Sequence, residues 1–273
     1  VGAFAACCLA RRGYQVDVYE RRTDARSLEP EPGRSISVDI SCRGWEALNL
    51  LGLCQQLETR GVRVWARMIH DRQGNKTRIN YGNKHQNIIV FKRQLLNQVL
   101  VEAAERCANV RLLFSHKLVS CNLDTGEVII DREHGDPVRT KVDLIIGADG
   151  AFSMVRQQMM MKLSRFDYQQ MFIPHGYMEL RIPATDDCQF AMEAGYHHLW
   201  PRDQYMMIGQ PNEDKSYTVV LVMPFAMYDS ITSEQQLLEL FRRDMPDVLP
   251  LIGEKTLLSR FFSQKLRPLI STK

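Results

Sequence analysis

Residues 2–20 read GAFAACCLARRGYQVDVYE. Residues 3–12 are small and helix-compatible, and Gly13 stands where a helix C-cap glycine belongs. Residues 14–20 then read as a short strand that closes on Glu20. Helix, glycine, strand and terminal carboxylate make up the back half of a nucleotide-binding βαβ unit, whose small side chains let helix and sheet approach closely. There a strand-end carboxylate accepts hydrogen bonds from a ribose hydroxyl. A solvated strand-end acid leaves the same pattern, so Glu20 alone does not decide between the two. Gly2 stands as the third glycine of the phosphate turn. The chain opens on Val1, so an upstream strand with the first two glycines is expected to precede it.

Residues 142–150, VDLIIGADG, read as a buried strand followed by a tight turn, and Ser153 is placed to cap a new helix. Gly150 would let the backbone pass close to a pyrophosphate. Asp149 would orient a ribose or hold phosphates through water. Ser153 and Arg156 would set a hydroxyl and a guanidinium at the positive end of the helix. A plain capped βα turn is the alternative. Arg93 begins an amphipathic helix over 93–107, where a cation opposes the helix dipole and so invites an anion.

The 273 residues are 45% hydrophobic, enough for a full core in one large or two interleaved domains. A net charge of +3 gives no electrostatic footprint for nucleic acid. The longest apolar runs are strand-sized, so no membrane-spanning helix is encoded in these residues. Arg11 and Arg12 follow the first apolar stretch instead of preceding it, which excludes a signal-peptide pattern there. Seven cysteines, an odd number without CxxC spacing, read as buried free thiols of a reducing compartment. The seven histidines lack ligand spacing, so no metal is expected.

Two prolines and a glycine make 29–33 a loop. Further helices are expected over 43–51 and 233–243, the latter with an acidic start and a basic end that suit its dipole. Strands are expected over 62–69, 77–81, 87–91, 110–114, 117–122 and 127–131. Aromatic- and Met-rich strands should fill 176–225, broken by Pro183, Pro201 and Pro211. Met159, Met160 and Met161 read as helix packing. The hairpin over 64–81 is foreign to a simple doubly wound fold. Arg67 sits mid-strand there. It either faces outward or is buried, and a buried arginine requires an anion, most often a carboxylate. Tyr81, on the strand across the turn, could face the same space.

Glu20, Arg93 and residues 147–156, GADGAFSMVR, together resemble the single-component FAD-dependent aromatic hydroxylases. The runs ARMIH (66–70), RFDY (165–168), IPHGYMEL (173–180), WPR (200–202) and PLIGE (250–254) resemble the branch of that family that hydroxylates L-kynurenine. The likeness runs over the whole chain. It implies an α/β fold in which a Rossmann-like FAD-binding domain (1–63 and 88–164) is interleaved with an antiparallel-sheet substrate domain (64–87 and 165–273), incomplete at both ends. It implies FAD as cofactor, NADPH as co-substrate and O2 as oxidant. L-Kynurenine would be hydroxylated at position 3 through a flavin C4a-hydroperoxide, in tryptophan catabolism.

Residue by residue, the resemblance gives Arg67 and Tyr81 to the substrate carboxylate. It gives Val1, Gly2, Tyr19, Glu20, Asp39, Arg93, Leu118, Asp149, Gly150 and Arg156 to the cofactor. It assigns no acid or base. It also implies the cytosolic face of the outer mitochondrial membrane, reached through a C-terminal segment beyond Lys273. Asp39 departs from the family, bringing a carboxylate where a small neutral residue is usual near the flavin. There it would disfavour the anionic reduced ring unless it turns away. Phe91-Lys92 likewise replaces smaller residues. The family's later Gly-Asp flavin motif and C-terminal substrate residues are absent, so the 273 residues alone are expected to purify without flavin and to be inactive. The alternatives are a related hydroxylase of another aromatic substrate, a flavin reductase of the same fold, and a non-catalytic nucleotide-binding remnant.

Overall fold

The computed structural model describes residues 1–27, 37–83 and 85–272. The loop expected at 29–33 lies outside the described residues. The helices are α1 (Gly2–Ala10), α2 (Cys42–Leu50), α3 (Cys54–Glu58), α4 (Arg93–Glu105), α5 (Met154–Lys162), α6 (Phe225–Ser230), α7 (Glu234–Asp244), α8 (Leu249–Ile252) and α9 (Glu254–Ser263). The strands of the first half are β1 (Val16–Tyr19), β2 (Ser37–Ile40), β3 (Val62–Val64), β4 (Ala66–His70), β5 (Lys76–Asn80), β6 (Ile88–Lys92), β7 (Val110–Leu113), β8 (His116–Cys121), β9 (Glu127–Arg132) and β10 (Val138–Lys141). Those of the second half are β11 (Gln170–Ile182), β12 (Tyr196–Arg202), β13 (Tyr205–Pro211), β14 (Tyr217–Pro224) and β15 (Arg267–Thr272). The chain divides into two compact units, one of Val1–Pro30, Gln94–Gln170 and Thr272–Lys273, the other of Glu31–Arg93 and Met171–Ser271.

In the first unit α1 leads into β1, which pairs in parallel with β7 from Val16↔Val110 to Tyr19↔Leu113. Ala6, Cys7 and Ala10 form the buried face of α1. Gly13 takes φ +87°, the left-handed conformation that lets the chain turn from helix to strand. Asn109 Nδ2 ties this corner by donating to the carbonyls of Ala10 (3.0 Å) and Tyr14 (2.6 Å). A meander of β8, β9 and β10 buries Cys121, Val128 and Ile130, with Tyr19, Leu118, Val142 and Ile145 packed against them.

The buried strand expected at 142–146 does not form. Val142 and Ile145 reach the meander's core, but Leu144 and Ile146 are 69% and 50% exposed. A strand needs neighbours for its peptide groups, and none of the described strands pairs with this segment. Met161 is likewise 74% exposed instead of packed.

The second unit is built on a seven-stranded sheet in the order β15-β11-β14-β13-β12-β4-β5, beside a smaller sheet β2-β6-β3. β4 runs parallel to β12 and antiparallel to β5, so the hairpin seen as foreign in the sequence extends the large sheet. Alternation along β14 sends Tyr217, Val219, Leu221 and Met223 to one face, where they meet Leu237, Phe241, Val248, Leu257 and Phe261 of the helical layer. Each such fully buried side chain contributes about 1.5–3 kcal/mol. Helix α7 carries a capping box in which the Ser233 hydroxyl accepts from Gln236 N and the Gln236 side chain accepts from Ser233 N. His70 and His198 lie in this core: His70 Nε2 is 2.8 Å from His198 Nδ1, and His70 Nδ1 is 2.5 Å from Asp247 Oδ2.

The expected strand over 62–69 is two strands in two sheets. Trp65 marks the break, its N–H donating to the Gly195 carbonyl at 2.9 Å. Pro201 and Pro211 lie within β12 and β13 instead of between strands. Pro201 falls beyond the last β12–β4 pair, Leu199↔Ile69, where a missing N–H takes least from the ladder. Helices α3, α6, α8 and α9 and strands β2, β10 and β15 have no counterpart in the sequence pattern. All seven cysteines are free, but only Cys7 and Cys121 are buried, and Cys42 and Cys188 are exposed. Among the described residues no helix is long and apolar enough to cross a membrane, and no cluster could hold a metal ion.

Candidate functional site

In the first unit a cleft of about 420 Å³ is lined by Val1, Ile145, Gly147, Ala148, Asp149, Gly150, Ser153, Val155, Arg156 and Met159. It therefore gathers Val1, Asp149, Gly150 and Arg156, four of the residues singled out in the sequence. Gly2 backs the same turn, since a Cβ placed on it would stand 3.5 Å from Ala148 Cβ. At Gly147 a Cβ would fall 2.9 Å from Val155 Cβ, so the turn and α5 lie closer than a side chain permits. Gly150 takes φ +80° with open space where its Cβ would point. Bare backbone in a cleft at a helix N-terminus suits the phosphates of a dinucleotide.

The polar groups around that turn are largely committed to it. Asp149 Oδ2 accepts from the N–H groups of Met154 (2.6 Å) and Val155 (3.2 Å), and Oδ1 accepts from the Ser153 hydroxyl (2.5 Å). Burial works against ionisation, but these hydrogen bonds prevail and hold the Asp149 carboxyl below its ordinary range. The Ser153 hydroxyl also accepts from Arg156 N at 3.0 Å, the N-cap bond expected of it. Arg156 donates to the carbonyls of Gly150 (3.3 Å) and Ala151 and stacks 4.3 Å over the Tyr168 ring. Its Nε is buried and without a hydrogen-bond partner. Asp149 and Ser153 thus build the capped turn, and the backbone faces the cleft.

Tyr19 and Glu20 end β1. Glu20 Oε1 accepts from Arg22 N at 2.9 Å, and the Tyr19 hydroxyl donates to Asp17 Oδ2 at 3.4 Å. Leu118 stands on β8 and packs with Tyr19 against the meander's core. Arg93, assigned by contacts to the second unit, opens α4 exposed and without a side-chain partner among the described residues.

In the second unit the candidate side chains of the large sheet stand on the face opposite the helices. β4 alternates, with Ala66, Met68 and His70 buried and Arg67 exposed. Arg67 therefore faces outward, and no buried counter-ion is required of it. Register places it beside His197 on β12 and Ile79 on β5. Its guanidinium carbon lies 5.0 Å from the Tyr81 ring centroid, so the sheet does bring these two residues together. Burial pushes the Tyr81 phenol up, with Arg67 opposing, so Tyr81 remains a donor at neutral pH. Its hydroxyl is 2.5 Å from His197 Nδ1. Asp39 of β2 accepts from Gln210 Nε2 at 2.9 Å and lies 3.4 Å from His197 Nε2. His197 and Gln210 carried no signal of their own in the sequence; only the alternation along β12 and β13 places them with Arg67. Ile69, Leu199, Ile208, Val220 and Val222 share this face, giving it an aliphatic floor.

A family model described as an FAD binding domain matches residues 1–246. The chain belongs to that family. It is 44% identical over 273 residues to the kynurenine 3-monooxygenase of Sus scrofa, covering 100% of this chain and 58% of that protein. To the Drosophila melanogaster kynurenine 3-monooxygenase it is 42% identical, covering 100% and 58%. To that of Flavobacterium johnsoniae it is 34% identical, covering 100% and 61%. The chain thus spans about three-fifths of the length of these relatives.

Among solved structures, tetrameric 2-methyl-3-hydroxypyridine-5-carboxylic acid oxygenase superposes with a TM-score of 0.74 at 18% identity, covering 100% of this chain and 68% of that one. P. aeruginosa PqsL in complex with 2-aminobenzoylacetate gives 0.73 at 18%, covering 98% and 70%. At that identity the likeness is one of fold: the expected α/β aromatic hydroxylase architecture, interleaved with an antiparallel sheet.

Proposed function

We propose that the protein to which this chain belongs is an FAD-dependent monooxygenase that hydroxylates L-kynurenine to 3-hydroxykynurenine, with NADPH as reductant and O2 as oxidant. The observation that carries this reading is the Arg67–Tyr81 pair above an aliphatic floor, in a chain alike over its whole length to kynurenine 3-monooxygenases. FAD, when bound, supplies the passage of electrons from NADPH to O2 and the delivery of one oxygen atom.

The first unit is assigned the dinucleotide. Val1, Gly2, Gly150 and the Arg156 Nε would receive its phosphates, Tyr19 and Glu20 its ribose, and Leu118 an apolar edge. Asp149 would hold the turn in shape. Arg93 is assigned to an anionic group. The second unit is assigned the substrate: the Arg67 fork takes the α-carboxylate, and Tyr81 fixes Arg67 through its ring. Ile69, Leu199 and Ile208 hold the aromatic ring and keep water from it. By the same family likeness, the protein is proposed to act at the cytosolic face of the outer mitochondrial membrane, which subcellular fractionation checks.

The test uses the complete protein. Kynurenine should stimulate NADPH consumption and yield 3-hydroxykynurenine by mass. Arg67→Ala should raise KM by roughly tenfold or more while kcat changes little, since a charged hydrogen-bonded partner of a carboxylate is worth about 1.5–3 kcal/mol. An unchanged KM would reject the carboxylate role, and absence of hydroxylated product would reject the activity.

A further inference from the structure

Strand β2 of the smaller sheet carries one group that the carboxylate site does not use. Asp39 is 36% exposed. Its Oδ1 is held by Gln210 Nε2 at 2.9 Å, and its Oδ2 has no partner among the described residues. Beside it stands His197, only 4% exposed, whose Nε2 is buried with no hydrogen-bond partner and lies 3.4 Å from Asp39 Oδ1. The Tyr81 hydroxyl lies 2.5 Å from His197 Nδ1.

An exposed cation, Arg67 of β4, and an exposed anion, Asp39 of β2, are thus linked through Tyr81 and His197. No ion pair joins them. Two opposite charges that are held near each other without neutralising each other complement a ligand that carries both.

We propose that Asp39, clamped by Gln210 and flanked by His197, receives the ammonium group of an aromatic amino-acid substrate. It would then be a specificity-determining residue that selects the zwitterion over the corresponding des-amino acid. This rests on the proposed assignment of Arg67 to the carboxylate.

The experiment measures binding to the complete protein by calorimetry with three probes. These are L-kynurenine, its des-amino analogue 4-(2-aminophenyl)-4-oxobutanoate, and 3-benzoyl-L-alanine, which lacks only the ring amine. The wild type should prefer both amino acids to the des-amino acid by roughly ten- to a hundredfold, the range of a hydrogen bond to a charged group. Asp39→Asn should bring that preference close to unity and leave the ratio of L-kynurenine to 3-benzoyl-L-alanine unchanged. Should Asp39→Asn fail to fold, Gln210→Met, which releases the carboxylate from its clamp, should reduce the same preference several-fold. An intact preference in either folded variant overturns the proposal, as does a loss confined to the ring-amine ratio. If the wild type binds none of the three, the kynurenine reading falls and this inference with it. If it binds all three equally, only this inference falls.

Discussion

Asp244→Asn tests how the β4–β5 hairpin is held. Asp244, at the end of α7, is 2% exposed. Its carboxylate accepts from Arg72 Nε (3.0 Å), from Arg243 Nη2 (2.7 Å) and from the Tyr205 hydroxyl. Its carbonyl accepts from Arg202 Nε at 2.6 Å, while Arg202 also donates to the carbonyls of His70 (2.9 Å) and Asp71 (3.0 Å). One carboxylate thus ties α7 to β13 and to the turn between β4 and β5, the hairpin that carries Arg67. Burial raises the cost of its charge, but the bonds from Arg243, Tyr205 and Arg72 outweigh it and lower its pKa from 3.8 to about 2.

That difference corresponds to about 2 kcal/mol of stability at neutral pH. A depressed carboxylate contributes fully above its unfolded value, so the contribution begins to fall near pH 4 and is lost as pH drops through about 2; about half is gone by about pH 3. Asparagine keeps the shape and one acceptor, and Arg72 and Arg243 can turn to water. The substitution should therefore cost about 2 kcal/mol near pH 7 and about half as much near pH 3. Urea unfolding of both proteins across that range, followed by tryptophan fluorescence, measures the gap. A gap below about 0.5 kcal/mol at neutral pH, or one that does not narrow in acid, would refute the argument.

In the complete protein, Gly147→Ala drives a Cβ to 2.9 Å from Val155 Cβ; it should cost roughly 1–3 kcal/mol and weaken flavin retention, read by melting temperature and by the flavin-to-protein absorbance ratio. Cys42 and Cys188 should react at once with a thiol reagent in the native protein, whereas Cys7 should react only on unfolding. Burial pushes the Cys7 thiol up to about 11, and mass mapping of the labelled cysteines distinguishes the two classes.

What the sequence disclosed follows from what is local. Helix α1, Gly13 and β1 are set by adjacent residues, as is the Ser153 cap, and all appear where residues 2–20 and 142–156 place them. The nearness of Arg67 and Tyr81 was legible because one tight turn separates β4 from β5, which Tyr81 follows directly. The strand expected at 142–146 failed for the opposite reason. Its apolar run satisfies the local pattern, yet a strand also needs partners, and partners are not a property of the run itself.

His197 shows where local reading ends. Within β12, His198, Trp200 and Arg202 turn to the helices and His197, Leu199 and Pro201 to the open face. Two adjacent histidines therefore belong to different chemistries. His198 is buried against His70, and desolvation lowers its pKa to about 4, so it stays neutral and packs. His197 meets Tyr81 and Asp39. No spacing rule separates them, because the distinction arises only when β4 pairs in parallel with β12 and sets Arg67 against His197. A one-residue slip in that register would exchange the two, sending Arg67 into the apolar core and its partners away from it. The buried side of the hairpin, Ala66, Met68 and His70, is then what secures the site: the core fixes the register, and the register gathers the charges.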